Sequence, residues 1–138
     1  MAERTYILEP VGIIHSDLTD QDAAPRQGYE GAPEALVEVS SDVADGLLGI
    51  RPGDEIIVIT WLDRAQRDIL QVHPGRNPNA PLTGVFATRS PDRPNPVGLH
   101  RVRVLEIGGQ RLKVGPIEAL DGTPVIDIKP VLSRSDDG

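Results

Sequence analysis

The chain has no cysteine, which excludes a disulfide framework, thiolate chemistry and any cysteine-based metal site. It has no apolar run approaching the roughly 18 residues that a membrane-spanning helix needs. A signal-peptide pattern is missing from the N-terminus, so a soluble, cytoplasmic protein with no membrane partner is expected. The G-x-G-x-x-G fingerprint and the βα alternation of a dinucleotide-binding domain are also missing. His15, His73 and His100 lie far apart without metal-ligand spacing, so no metal site is expected. Ser90 and His100 make no triad, because no strand-to-helix elbow surrounds Ser90.

Proline and glycine, by contrast, are plentiful, at 13 and 14 of 138 residues. They punctuate short apolar segments rather than forming tracts, which predicts many turns and little helix. The length fits one domain, expected over residues 1–132, with a flexible polar tail at 133–138. Strands are expected at Tyr6–Ser16, Glu34–Ser40, Glu55–Leu62, Leu99–Ile107, Arg111–Ala119 and Val125–Val131, with a further short one at Val85–Ala87. A short helix, Val43–Leu48, is expected after a cap at Ser41 or Asp42, closed by Gly49. Arg51–Asp54 and Asp121–Pro124 read as turns, and Gly108-Gly109 as a hairpin turn. Six to eight short strands at regular spacing predict an all-β, closed or nearly closed barrel with one or two short helices.

The stretch Gly84–Arg101 stands apart. Pro91, Pro94 and Pro96 each fix φ and push the preceding residue into extended geometry, so this segment is stiff and cannot be a helix. It carries Arg89, Ser90, Arg93 and Asn95 on that backbone, a donor set suited to an anionic ligand. Charge is distributed unevenly. The net charge of −7 argues against a general nucleic-acid binder, yet residues 64–113 hold nine bases against three acids. That block permits a polyanionic partner.

The motifs Gly84-Val-Phe-Ala-Thr-Arg-Ser-Pro-Asp-Arg-Pro-Asn-Pro-Val-Gly-Leu99 and Leu120-Asp-Gly-Thr-Pro-Val-Ile-Asp-Ile-Lys-Pro130 resemble the TsaA/TrmO family, as do Pro10–Ser16 and Pro25-Arg26-Gln27. The resemblance implies a small homodimeric β-barrel that binds S-adenosyl-L-methionine near the subunit interface. It also implies methylation of N6-threonylcarbamoyladenosine beside the tRNA anticodon. By motif match, cofactor contacts fall on Pro25, Arg26, Gln27, Arg89, Leu99, Ile117 and Glu118, with Asp63 and Arg64 at a loosely aligned position. Asn95 and Asp127 are candidates for orienting or deprotonating the target nitrogen, and Arg93 and Lys129 for holding substrate. Methyl transfer from a sulfonium is mainly a matter of positioning, so no dedicated nucleophile is expected. The chain departs from the tRNA enzymes at Asp63-Arg64, at Glu118 and at Val131, which stands where they carry tyrosine. A small-molecule methyl acceptor, or S-adenosylmethionine binding without catalysis, are the alternatives.

Overall fold

The computed structural model describes residues 4–19 and 33–132. Eight strands are present among them. They are β1 (Gly12–His15), β2 (Ala35–Val39), β3 (Glu55–Trp61), β4 (Gln71–Val72), β5 (Thr83–Gly84), β6 (Val97–Gly108), β7 (Arg111–Gly115) and β8 (Pro124–Pro130). Six of these close an antiparallel barrel in the order β1-β2-β7-β6-β3-β8, and β4 pairs with β5 in a separate ribbon.

Alternation builds the interior. In β3, Ile56, Val58 and Thr60 are buried while the residues between them are half-exposed. Val37 and Val39 of β2, Val102 and Val104 of β6, Leu112 and Val114 of β7, and Val125 of β8 point to the same core, together with Ile14 and Ile117. Each such side chain contributes about 1.5–3 kcal/mol by leaving water. The period-2 pattern is what allows one face of a continuous sheet to close on itself.

Several elements differ from expectation. The strand expected at Tyr6–Ser16 shrinks to Gly12–His15, and residues 6–8 are exposed. The expected helix is a 3-10 segment, Ser41–Leu47, preceded by Ser40, which makes no side-chain cap bond. Two aspartates and Gly46 weaken any α-helix there, and only Leu47 is buried to hold it. The hairpin turn lies one residue later than expected, on Gly109-Gln110, with Gly109 at φ +58°. β7 ends at Gly115 because Pro116 has no N–H to continue the ladder, although Ile117 and Ala119 beyond it remain buried. Val85–Ala87 is a 3-10 turn, not a strand, and Phe86 is 82% exposed. The expected 133–138 tail lies outside the described residues.

Candidate cofactor and substrate site

Strand direction decides where a site can form. β1, β3 and β7 end, and β2, β6 and β8 begin, at the same mouth of the barrel. The pairs His15↔Leu36, Trp61↔Val97, Thr60↔Val125, Ile13↔Pro124 and Arg103↔Gly115 fix this arrangement. The segments that follow His15, Trp61 and Gly115 therefore all leave from that mouth. They carry Asp63, Arg64, Arg89, Arg93, Asn95, Ile117 and Glu118, so most of the motif-matched residues converge. Pro25, Arg26 and Gln27 lie outside the described residues.

The proline-stiffened loop is also stitched by hydrogen bonds. Ser90 N donates to Thr88 Oγ1 at 3.1 Å, and Asp92 N to Ser90 Oγ at 3.2 Å. The Arg93 guanidinium donates to three backbone carbonyls, those of Val85 (2.8 Å), Ser90 (2.8 Å) and Thr88 (3.1 Å). Val85 O also accepts from Thr88 N and Thr88 Oγ1, each at 3.0 Å, and these local bonds close the 85–87 turn that Arg93 then grips. Five donors in a rigid fork make arginine suited to gathering several carbonyls at once.

The loop rests on the segment that leaves β3. Leu62 N donates to Pro96 O (2.8 Å), Arg93 N to Gln66 O (3.0 Å) and Gln66 N to Asp92 Oδ1 (2.9 Å). Arg67 adds Nε to Pro94 O at 2.7 Å and Nη2 to Asn95 Oδ1 at 3.0 Å, while its guanidinium lies 5.1 Å from the Trp61 ring centroid. Arg64 Nη1 reaches Thr19 O at 3.3 Å, linking this turn to the segment after β1. Trp61, Gln66, Arg67 and Asp92 were not among the expected site residues. Nothing local marks the bonds that join this segment to the loop, because the partners of Gln66 and Arg67 there lie 26 to 28 residues away in sequence.

Arg89 differs from its neighbours. It is exposed and makes no hydrogen bond or ion pair among the described residues. Leu99, two residues into β6, points outward and is 51% exposed, beside the exposed Val97. Across the outer wall Leu99 pairs with Ile59, and Ile59 pairs with Asp127, so the three form one row. Asp127 is engaged there, with Oδ1 accepting from Ile128 N at 2.8 Å and Oδ2 lying 3.4 Å from Lys129 Nζ. The Ile117 side chain is 2% exposed and belongs to the core, and Glu118 beside it is half-buried.

Four of the nine bases in the basic block are ion-paired in the fold. Arg101 and Arg103 pair with Glu55, Arg111 with Glu38 and Lys113 with Glu34, at 2.8 to 3.7 Å. The acidic half of the sequence supplies all three glutamates. Part of the sequence asymmetry is thus turned into ion pairs on the outer wall, while Arg64, Arg67, Arg76, Arg89 and Arg93 have no ion pair among the described residues.

Beneath the loop, inside the barrel, Thr60 Oγ1 and His100 Nε2 are hydrogen-bonded at 2.9 Å. Burial pushes the His100 imidazole down to about 4, so it is neutral at physiological pH. No group of three or more histidine or acidic side chains among the described residues could hold a metal ion.

Residues 13–137 match the family described as the tRNA-methyltransferase O N-terminal domain. The chain belongs to this family. An S-adenosyl-L-methionine-binding protein of Archaeoglobus fulgidus is 46% identical over 123 residues, covering 89% of this chain and 87% of that protein. A probable S-adenosyl-L-methionine-binding protein of Methanothermobacter thermautotrophicus is 40% identical over 131 residues, covering 94% and 93% respectively. The crystal structure of TrmO from Pseudomonas aeruginosa superposes with a TM-score of 0.77 at 29% identity over 96% of this chain. This chain spans 59% of that TrmO structure's length. Among the described residues, no helix is long and apolar enough to cross a membrane.

Proposed function

We propose that the protein is an S-adenosyl-L-methionine-dependent methyltransferase that modifies N6-threonylcarbamoyladenosine in tRNA. One observation carries the reading. The family's proline-locked loop is stitched by hydrogen bonds at the barrel mouth, and it leaves a single guanidinium, Arg89, exposed and without a partner among the described residues. The residues at this mouth fit the cofactor. A free arginine suits the methionine carboxylate, and the exposed apolar wall at Val97 and Leu99 suits an adenine ring.

S-adenosylmethionine, when bound, supplies an electrophilic methyl group on a sulfonium. The chain's own contribution is placement. Arg89 would bind the cofactor's carboxylate and Leu99 would seat its apolar part, while Arg93 and Arg67 hold the loop in one shape. Asn95 faces the acceptor. The acceptor nitrogen would take that methyl group and give up its N–H proton to water. Holding the nitrogen in line and close is the main demand of this step. The exposed Val97 and Leu99 support the further reading that a second copy of the chain packs against this wall, making the working unit a homodimer.

A small-molecule acceptor is the second reading. The pairing of Arg101, Arg103, Arg111 and Lys113 with glutamates favours it, since it removes free cations that would hold phosphates. Nucleoside mass spectrometry decides between the two. Threonylcarbamoylated tRNA incubated with protein and S-adenosylmethionine is expected to gain one methyl on the modified adenosine. Cofactor binding by calorimetry with no such gain would favour the small acceptor.

A further inference from the structure

We infer that Arg67 is a positioning residue that turns the Asn95 carboxamide so that its NH2 group, not its oxygen, faces the methyl acceptor. The assignment follows from hydrogen-bond chemistry. Arginine only donates, so the atom of Asn95 that meets Arg67 Nη2 at 3.0 Å must be the carbonyl oxygen. The amide orientation is therefore fixed by the partner. With Oδ1 turned back toward the protein, Nδ2 is left as the outward group of this exposed side chain.

Arg67 is itself fixed in place. Its Nε holds Pro94 O at 2.7 Å, the carbonyl immediately before Asn95, and its guanidinium plane sits over Trp61 at the end of β3. One fork thus grips both the backbone and the side chain of adjacent residues, and a barrel-anchored aromatic sets the position of the fork. The backbone of Asn95 is equally constrained, with its carbonyl accepting from Val97 N at 2.7 Å. Asn95 is consequently a hydrogen-bond donor in the site. It suits an acceptor molecule that carries a carbonyl or ring nitrogen next to the nitrogen being methylated, and it does not serve as a proton acceptor. This role rests on the methyltransferase reading proposed above.

The test combines kinetics with nuclear magnetic resonance on the full chain, using threonylcarbamoylated tRNA and S-adenosylmethionine. In Arg67→Ala and in Asn95→Ala, kcat is expected to fall by about 100-fold, the scale of a misplaced reacting group. Cofactor affinity by calorimetry should change by less than about twofold, and the double variant should be no slower than either single one. Asn95→Asp keeps the size and loses the donor, so it should be as slow as Asn95→Ala. Arg67→Lys keeps the charge but cannot reach both acceptors, and it should not restore the rate. The Asn95 side-chain amide signals should shift in Arg67→Ala, a readout independent of turnover. Full activity of Asn95→Asp would overturn the donor role. Unchanged Asn95 amide signals in Arg67→Ala, or additive losses in the double variant, would overturn the positioning role. If wild-type protein methylated nothing, the methyltransferase reading would fall and this role with it. Loss of the role alone would show as a wild-type rate that these variants retain.

Discussion

Thr60 and His100 meet inside the barrel in space that exists because residue 98 has no side chain. A Cβ on Gly98 would lie 2.5 Å from Thr60 Oγ1, 3.0 Å from His100 Nε2 and 3.3 Å from Leu62 Cδ2. The glycine of the loop motif is thus a packing requirement of the wall on which the loop is mounted. Gly98→Ala should destabilise the protein by about 1–3 kcal/mol, as overpacking does. Urea denaturation of Gly98→Ala with and without Thr60→Ala checks this, because removing the hydroxyl should relieve part of the cost. Equal losses in both backgrounds would show that the hydroxyl is not the obstacle.

The same pair predicts a pH effect. The folded pKa of His100 lies below its unfolded value of 6.5, at about 4, so the unfolded chain binds the proton first. Stability should therefore be unaffected above about pH 6.5 and fall progressively as pH drops toward 4, by on the order of 3 kcal/mol. His100→Gln should flatten this slope in thermal melts between pH 6.5 and 5. The carboxylate of Glu38, lowered chiefly by its hydrogen bond from His15, has a folded pKa below its usual 4.5. Its contribution is lost only as pH falls below that value, so the window above it isolates His100.

Arg89 and Arg93, four residues apart, should behave oppositely. Arg89→Ala removes no bond among the described residues, so its melting temperature should match wild type while S-adenosylmethionine affinity falls by about tenfold or more. Calorimetry and a thermal melt on one preparation test both halves. A variant that binds normally would remove Arg89 from the cofactor site.

Arg93→Ala removes three charge-assisted bonds, those to Thr88 O, Ser90 O and Val85 O, and should cost about 1.5–3 kcal/mol. Arg93→Lys should not rescue it, because one ammonium cannot span carbonyls that the fork reaches together. Denaturant midpoints of the two variants provide the comparison.

The barrel was legible in the sequence because alternation is local. Ile56 and Val58, Val102 and Val104, and Leu112 and Val114 announce their inward face two residues at a time. The proline-locked loop was equally visible, since proline acts on its own φ and on its immediate neighbour. Elements decided by distant partners were not visible. Residues 85–87 look like a strand, yet Thr88 and Arg93 together hold Val85 O in a turn, and Arg67 carries no mark of its bond to Asn95, 28 positions on. The basic block misleads for the same reason, because its neutralising glutamates, Glu34, Glu38 and Glu55, belong to β2, β3 and the approach to β2.

Barrel closure also sets where the structure opens first. β3 and β6 are joined by seven register pairs, from Glu55↔Arg103 to Trp61↔Val97, whereas β1 and β8 share only Gly12↔Val125 and Ile13↔Pro124. The β1–β8 junction is the seam of the cylinder. Amide protons of β1 should exchange with solvent long before those of β3, through sub-global opening along that seam. Each opening would lengthen the unpaired strand edges on β1 and β8, surfaces that invite pairing with another chain.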